Sequence, residues 1–400
     1  MSSGAPRCHI ARIVVFAFDL TEASQRRRVA SFRRLGHEVV AVGFRRGNMD
    51  PTAETDVPTL ELGHMPNRRF LLRLLLLLAS LPRLLLAGGE FRRGDVLVAR
   101  NFDMLSLAWV ASLFWRGPRP AVVYECLDIH GLFTRPGPVG RTMRFLERRL
   151  LARIDLLWVS SPGFLSGYFG PFQGYSGHVA IVENKLWFDG ETPPRPRLSD
   201  RERAPGPITL GWVGSIRCRT SLDILTGVAE RLGPGLRIAV HGNIHRHALP
   251  DFDARIAPFE TITHHGPYRY PGGLASIYLG CDLVWAQDLW QRGANSDWLL
   301  PNRIYEAGWY GCPSIAVGDT ETGRRVASDG LGFVIARPDA DDLAELLATL
   351  DRPALDAASA RLLAREETAF RLTTDDVRRA LEPVLGADAG ESSRPLVAGA

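Results

Sequence analysis

Short β-branched and aromatic runs recur along this chain with helix-sized stretches between them, and the whole pattern occurs twice. "IARIVVFAF" (10–18) leads into "DLTEASQRRRVASFRRLG", with an Asp/Thr/Glu helix start, apolar spacing at Val29, Phe32 and Leu35, and a stop at Gly36. A second run, "HEVVAVGF", closes a βαβ unit. Further runs follow at "DVLVAR", "AVVYECLD", "DLLWVSS" and "HVAIVEN". Residues 189–207, dense in Pro and charge, break the pattern, which restarts at "ITLGWVGSI" and continues through "LRIAVHG", "ITHHGP", "CDLVWAQD", "CPSIAVG" and "LGFVIAR". Strands alternating with helices make parallel sheets. The expectation is therefore an α/β chain of two doubly wound, Rossmann-like domains, 1–188 and 208–365, joined by a linker at 189–207. A helical stretch at 366–385, N-capped at Thr374, either follows the second domain or returns to the first, and 386–400 is expected to be a disordered tail.

The chain has 400 residues, too many for one core at roughly 100–200 residues per domain. Its net charge is +4, but residues 1–187 hold 25 Lys+Arg against 15 Asp+Glu while the remainder holds 23 against 29. The basic half is the candidate face for anionic lipid or a phosphorylated substrate, and the acidic half argues against a nucleic-acid partner. Five scattered cysteines, Cys8, Cys126, Cys218, Cys281 and Cys312, match no metal-ligand spacing and favour a reduced, cytoplasmic compartment. The N-terminus lacks a signal-peptide core.

Residues 67–89, "NRRFLLRLLLLLASLPRLLLAGG", are interrupted by Arg73 and by Pro82 with Arg83, whereas a spanning helix needs about 20 apolar residues. Two readings stand. The segment is a leucine-rich core helix, or it lies in the membrane interface with Arg68, Arg69, Arg73 and Arg83 at headgroup level, which would make the protein peripheral at the inner face of the plasma membrane.

Ligands of open α/β sheets sit at the carboxyl ends of the strands. In "GWVGSIRCRTSLDIL", Gly214 allows close backbone approach, and Arg217 and Arg219 precede a helix whose N-terminus attracts phosphate. Packing glycines and solvated arginines are the plainer alternative. In "LPNRIYEAGWYGCPSIAVG", Pro301 suits a first helical turn and places Asn302, Arg303 and Glu306 near the helix mouth. Glu306 either stabilises the helix dipole or accepts hydrogen bonds from the vicinal hydroxyls of a ribose. In "YECLDIHGLF", Asp128 and His130 follow a strand, Glu125 lies within it and reads as partly buried and paired, and Asp19 follows the first strand. The run "QRRR", Gln25 to Arg28, is a solvated helix face or a phosphate site. His241, His245, His247, His264 and His265 fit no compact metal spacing, and no dinucleotide, P-loop or nucleophile-elbow motif occurs.

Together "LPNRIYEAGWYGCPSIAVGDTETGRRVASDGLGFVI", "GWVGSIRCRTSLDIL", "GPYRYPGGLASIYLGCDLVWAQD" and "HVAIVEN" resemble the signature segments of retaining GT-B glycosyltransferases of family four, within them the bacterial exopolysaccharide enzymes of succinoglycan type. The resemblance implies two domains facing a cleft and transfer of a hexose from a nucleotide-sugar, with retention, to a glycan acceptor that is lipid-linked or soluble, without a metal or other cofactor. It implies that Glu306 binds the donor ribose, Arg217 and Arg219 the diphosphate, and the backbone at Pro267 and Tyr268 the base. Asp128 and His130 would stand near the acceptor as catalytic candidates, and Asp19 in a loop that approaches both substrates; Arg26 and Arg27, in the run that would suit a lipid-diphosphate, are the further acceptor-binding candidates. The family often carries a further Glu eight residues before the ribose Glu; Trp298 stands there, so Asp297 is the substitute or the carboxylate is dispensed with. A sugar-nucleotide epimerase of the same fold, or a non-catalytic scaffold, are the alternatives.

Overall fold

The computed structural model describes residues 10–45, 56–65, 70–201 and 206–386. Cys8, Arg68, Arg69, residues 202–205 of the expected linker and 387–400 of the expected tail lie outside the described residues. The chain divides into two compact units, Met1–Val182 with Thr373–Ala400, and Glu183–Leu372.

Unit 1 carries a seven-stranded sheet of β1 (Arg12–Ala17), β2 (Glu38–Arg45), β3 (Thr59–His64), β4 (Val96–Arg100), β5 (Ala121–Cys126), β6 (Leu156–Val159) and β7 (Val179–Ile181), in the order β3-β2-β1-β4-β5-β6-β7. Every pairing is parallel. Parallel strands are covered on both faces and so read as continuous apolar runs; β4 is buried along its whole length. Sequence patterning misses β3, "TLELGH", because an edge strand is half exposed and mixes polar with apolar residues.

Its helices are α1 (Ala23–Arg34), α2 (Phe70–Leu86), α3 (Asn101–Ser112), α4 (Gly131–Thr134), α5 (Pro138–Leu151) and α6 (Pro162–Phe164). Crossovers between parallel strands are right-handed. Because β1 to β2 runs toward one edge, while β3 to β4, β4 to β5 and β5 to β6 run toward the other, α1 covers one face and α2, α3 and α5 the opposite face. Accordingly α3 packs against both α2 and α5, and α1 against the C-terminal helix α15 (Thr374–Leu385). The cap of α15 is Thr373, one residue before the expected Thr374. Its hydroxyl accepts from the Asp376 amide, and the Asp376 carboxylate accepts from the Thr373 amide.

Unit 2 carries a six-stranded parallel sheet of β8 (Ile208–Val213), β9 (Leu236–His241), β10 (Ile262–His264), β11 (Leu283–Trp285), β12 (Ser314–Val317) and β13 (Gly332–Ile335), in the order β10-β9-β8-β11-β12-β13. Its helices are α7 (Arg219–Leu232), α8 (Phe252–Ile256), α9 (Leu274–Gly280), α10 (Asn295–Trp298), α11 (Asn302–Trp309), α12 (Glu321–Ser328), α13 (Ala340–Thr349) and α14 (Arg352–Ala364). One core gathers Trp212, Trp285, Leu222 and Val228, and a second gathers Ile304, Trp309, Tyr278 and Phe370. Gly308 is obligatory in the second, since a Cβ there would stand 2.1 Å from the Phe370 ring.

The expected linker is a correction. The units part at Val182/Glu183 and Leu372/Thr373, and the Pro-rich segment after 189 is fastened to unit 2. The Arg195 guanidinium donates to the carbonyls of Gly308, Trp309, Leu362, Leu363 and Arg365. Arg201, only 5% exposed, donates to those of Tyr278, Cys281 and Tyr310. The last carbonyls of a helix have no partner within it, and two guanidinium forks satisfy those at the ends of α9, α11 and α14. Local composition cannot reveal so distant a set of acceptors.

Candidate functional site

In unit 2 the chain winds from β8 outward through β9 to β10, then returns beside β8 as β11 and continues to β13. The neighbours β8 and β11 therefore flank a topological switch point, where loops diverge and leave a crevice. Of the residues singled out from sequence, Gly214, Arg217 and Arg219 follow β8, and Asp297, Asn302, Arg303 and Glu306 follow β11.

After β8 the backbone turns at Gly214, whose φ of +110° is left-handed, and its amide donates to the His241 carbonyl at 2.8 Å. Facing it, Gly242 has no room for a side chain, because a Cβ would stand 1.8 Å from the Gly214 carbonyl oxygen. Two glycines thus bring the loops after β8 and β9 into contact. The turn leads through Arg217 into α7, capped by the Cys218 thiol accepting from the Ser221 amide. Arg217 lies 3.5 Å from Asp288, with its side chain 38% exposed. Arg219 is forked onto Asp251, at 2.8 Å for one arm, so its cation is already engaged.

After β11 comes Asp288, which sequence reading passed over within "CDLVWAQD". Its carboxylate accepts from the Ser296 hydroxyl at 2.6 Å and from the Trp290 amide at 2.9 Å. Burial pushes this carboxyl up, but Arg217, the Ser296 hydroxyl and Arg303 outweigh it and hold it below the ordinary carboxylate range. An Asp at the end of a strand lining a switch point is the signal that could have found it. Arg303 donates to the Trp285 carbonyl at 3.2 Å. Asp288 is therefore paired with Arg217 across the switch point, and the charge of Arg303 also acts on it.

Pro301 is the N-cap of α11 rather than its first residue, and Asn302 and Arg303 are half-buried in the first turn. Glu306 is 5% exposed and accepts from the Tyr278 hydroxyl at 2.8 Å. Burial, then Glu306, raises the Tyr278 hydroxyl well above its ordinary range, so it stays a donor. Burial and then Glu306 also raise Tyr268, with Arg303 opposing, which brings the loop after β10, with Pro267, to the same neighbourhood. Asp297, in α10, accepts from Arg292 and from the Gly293 amide, each at 2.8 Å, and Arg292 is shared with Asp319. The imidazoles of His241 and His265 stack with centroids 4.5 Å apart. Among the described residues, no group of three or more His, Cys, Asp or Glu could hold a metal ion.

In unit 1 the switch point lies between β1 and β4. Asp19 follows β1 but is buried, and its carboxylate is spent on the Thr21 amide and hydroxyl, at 3.0 and 2.7 Å. It shapes the loop. After β4, Asn101 adopts a left-handed φ of +67°, the one non-glycine residue with positive φ among those described; its side chain accepts from the Leu127 amide at 3.4 Å. Such backbone clusters at functional sites, and no sequence signal marks it. After β5, Asp128 and His130 are exposed. His130 Nδ1 accepts from the Leu132 amide at 3.2 Å, so Nε2 carries the ring proton. Burial, then Arg73, lowers its pKa against the opposing pull of Asp103.

The run Gln25 to Arg28 splits. Arg26 is exposed and Arg27 half-buried, whereas Gln25 and Arg28 turn inward. Arg28 and Arg100 clamp Glu125 at 2.8 Å each, an ion triad under the start of α1. Glu125 is thus paired as expected but buried outright rather than in part, and its carboxyl, which burial pushes up, is held down by Arg100 and Arg28. The 67–89 segment forms α2, whose Leu84 is buried while Leu75 and Leu78 are 61% and 54% exposed. Arg73 pairs with Asp103 of α3. Between α2 and α3 lies an open apolar groove of about 140 Å³, lined chiefly by Leu77, Leu78, Leu81, Phe102, Leu107 and Val110. No described helix is long and apolar enough to cross a membrane.

A family model described as a glycosyl transferase 4-like domain matches residues 21–185. The succinoglycan biosynthesis protein ExoL of Rhizobium meliloti (strain 1021) is 36% identical over 341 residues, 85% of this chain and 84% of that protein. Among solved structures, Anabaena HepE, crystallised with UDP and glucose, matches with a TM-score of 0.65 at 14% identity, over 92% of this chain and 98% of its own. Sucrose-phosphate synthase from Thermosynechococcus elongatus matches at 0.67 and 14%, over 94% and 96%. WaaG, a glycosyltransferase involved in lipopolysaccharide biosynthesis, matches at 0.61 and 16%, over 92% and 98%. At such identities these structures speak to the fold alone, and the expectation of two Rossmann-like units of GT-B type is borne out.

Proposed function

The chain belongs to the glycosyltransferase family of the succinoglycan biosynthesis protein ExoL, and from that premise we propose that it transfers a hexose from a nucleotide-sugar, in the first instance a UDP-sugar, to a lipid-linked glycan, with retention at the anomeric carbon. Its place is polysaccharide biosynthesis. The observation that carries the reading is the convergence at the β8/β11 switch point: the Gly214 turn, Arg217 and Arg303 supply amides and cations for a diphosphate, and Glu306 supplies a buried carboxylate for a ribose. The binding of UDP and glucose by HepE supports the choice of donor.

Catalysis in this reading is chiefly electrostatic, through cations and helix N-termini that stabilise charge as the nucleoside diphosphate leaves. Arg219, already forked by Asp251, contributes less than Arg217. Asp297 reaches the donor sugar by way of Arg292 or by exchanging it. On the acceptor side Asp128 is the exposed carboxylate, and His130 donates through Nε2, with Arg26 and Arg27 offering further cations. The basic balance of unit 1, the exposed leucines of α2 and the groove beside them support a lipid-linked acceptor and a peripheral position at the inner face of a membrane. No metal or other cofactor enters this scheme.

The test is calorimetric titration with UDP-, GDP- and other nucleotide-sugars, followed by product analysis of the tightest binder with and without lipid-linked acceptors. Transfer or slow hydrolysis is expected. Epimerised donor without acceptor would instead make it an epimerase, and absence of binding to every nucleotide-sugar would leave a scaffold.

A further inference from the structure

The helix α5, "PVGRTMRFLERRLL", lies outside the candidate site, and it presents both basic and apolar side chains to solvent. Its inward stripe is Gly140, Glu147 and Leu151, all buried. At 100° per residue, the side opposite that stripe carries Phe145 and Leu146, which are 51% and 45% exposed, with Val139, 49% exposed, at its margin. Arg141, Arg148 and Arg149 are exposed beside them, whereas Arg144 stands about 40° from the buried stripe, is half-buried and donates to the Phe133 carbonyl at 2.6 Å. Among the described residues none of these four arginines forms an ion pair with a carboxylate, unlike Arg12, Arg28, Arg45, Arg73, Arg100 and Arg119 of the same unit. Instead Arg144 lies over the Phe172 ring at 5.5 Å, Arg149 lies over Phe145 at 4.9 Å, and Arg148 donates to the carbonyls of Phe172 and Gln173. The one acid on the helix, Glu147, faces inward onto Tyr124, Tyr168 and Gln173 and cancels none of the outer charge.

We propose that α5 is an interfacial helix that seats unit 1 on an anionic lipid bilayer, its exposed Arg141, Arg148 and Arg149 on headgroup phosphates and Phe145 and Leu146 in the acyl boundary. Unpaired cations beside exposed apolar side chains match a surface that is negative outside and apolar beneath. Guanidinium groups lying along aromatic rings keep their stems dry while the charge stays at headgroup level. The right-handed crossovers place α5 on the same face of the sheet as α2, and α3 packs against both. Leu75 and Leu78 of α2 and the groove beside them therefore share the face with α5, and the surface is one layer of helices rather than a single leucine-rich segment. The inference rests on the lipid-linked acceptor proposed above and deepens it, since it fixes which face of the acceptor unit meets the membrane.

The experiment is flotation of the full chain with vesicles of phosphatidylglycerol and phosphatidylcholine, beside vesicles of phosphatidylcholine alone, with UDP-sugar binding measured on the same samples. One arginine near an anionic surface strengthens binding by about fivefold, so Arg141→Gln with Arg149→Gln should weaken flotation about thirtyfold. Phe145→Ser should weaken it at every salt concentration, whereas the arginine pair matters only at low salt. All three positions are exposed or flanking, so donor binding should persist in both variants. Wild type that floats while both variants float equally well would overturn the role of α5 and leave α2 as the anchor. Wild type that ignores anionic vesicles, or binds neutral ones as well, would overturn the inference, while retained UDP-sugar binding would leave the glycosyltransferase site standing. Self-association lost in the variants, without vesicle binding, would give the face to a second copy and overturn it too.

Discussion

Glu306→Gln separates the carboxylate's role in the ligand from its role in the fold. Glu306 is 5% exposed and takes the hydroxyl of Tyr278, itself fully buried, at 2.8 Å. Glu306→Ala would strip that hydroxyl of its acceptor and open a cavity. An orphaned buried donor costs about 1–3 kcal/mol, so Ala would weaken unit 2 and confound any binding measurement. Gln keeps the volume and a carbonyl oxygen for Tyr278 but loses the charge. A charge-assisted hydrogen bond to a ribose hydroxyl contributes about 1.5–3 kcal/mol, which raises the dissociation constant of UDP or a UDP-sugar by about 10- to 150-fold. Calorimetric titration should find this loss for both ligands, because the ribose is common to them. Against a 2′,3′-dideoxy nucleotide, wild type and Glu306→Gln should bind alike, so the double cycle isolates the pair. An undiminished affinity of folded Glu306→Gln for UDP, or an equal loss toward the dideoxy ligand, would refute the ribose assignment.

Arg217→Ala should weaken nucleoside diphosphate more than nucleoside, and Arg219→Ala should do so less because Asp251 already holds its fork; parallel titrations with UDP and uridine decide it, and equal losses would place Arg217 elsewhere. Burial raises the Glu147 carboxyl from 4.5 to about 7, so folded unit 1 keeps a proton that the unfolded chain has lost. Stability should therefore fall as pH rises from about 4.5 to 7, by about 3 kcal/mol in all, and Glu147→Gln should flatten that slope in denaturant titrations; parallel slopes in the two proteins would count against it. Leu75→Glu with Leu78→Glu should release the chain from anionic vesicles while leaving donor binding intact, because both leucines are exposed. Unfolding of unit 1 by the pair would return α2 to the role of a core helix.

What the sequence by itself determined was whatever depends on neighbours along the chain. The strands ending at Ala17, Arg100, Cys126, Val213 and Val317 are largely apolar runs, as strands covered on both faces are, and they stand where the pattern puts them. Gly214, Arg217, Arg303 and Glu306 were legible for the same reason: a turn, a helix mouth and a motif are local. Only the tertiary structure decided the pairings across long loops. That Asp288 pairs with Arg217 follows from β8 and β11 being neighbours, a consequence of strand order that spacing does not encode. Burial sorted the run Gln25 to Arg28, sending Arg28 to Glu125 in the core and leaving Arg26 in solvent, and it took Asp19 out of solvent to hold Thr21. The segment around Arg195 and Arg201 reads as a linker because Pro and charge usually mean exposure. It is bound because the carbonyls left over at the ends of α9, α11 and α14 meet in space and need donors, and no feature of the local sequence records where helices end relative to one another.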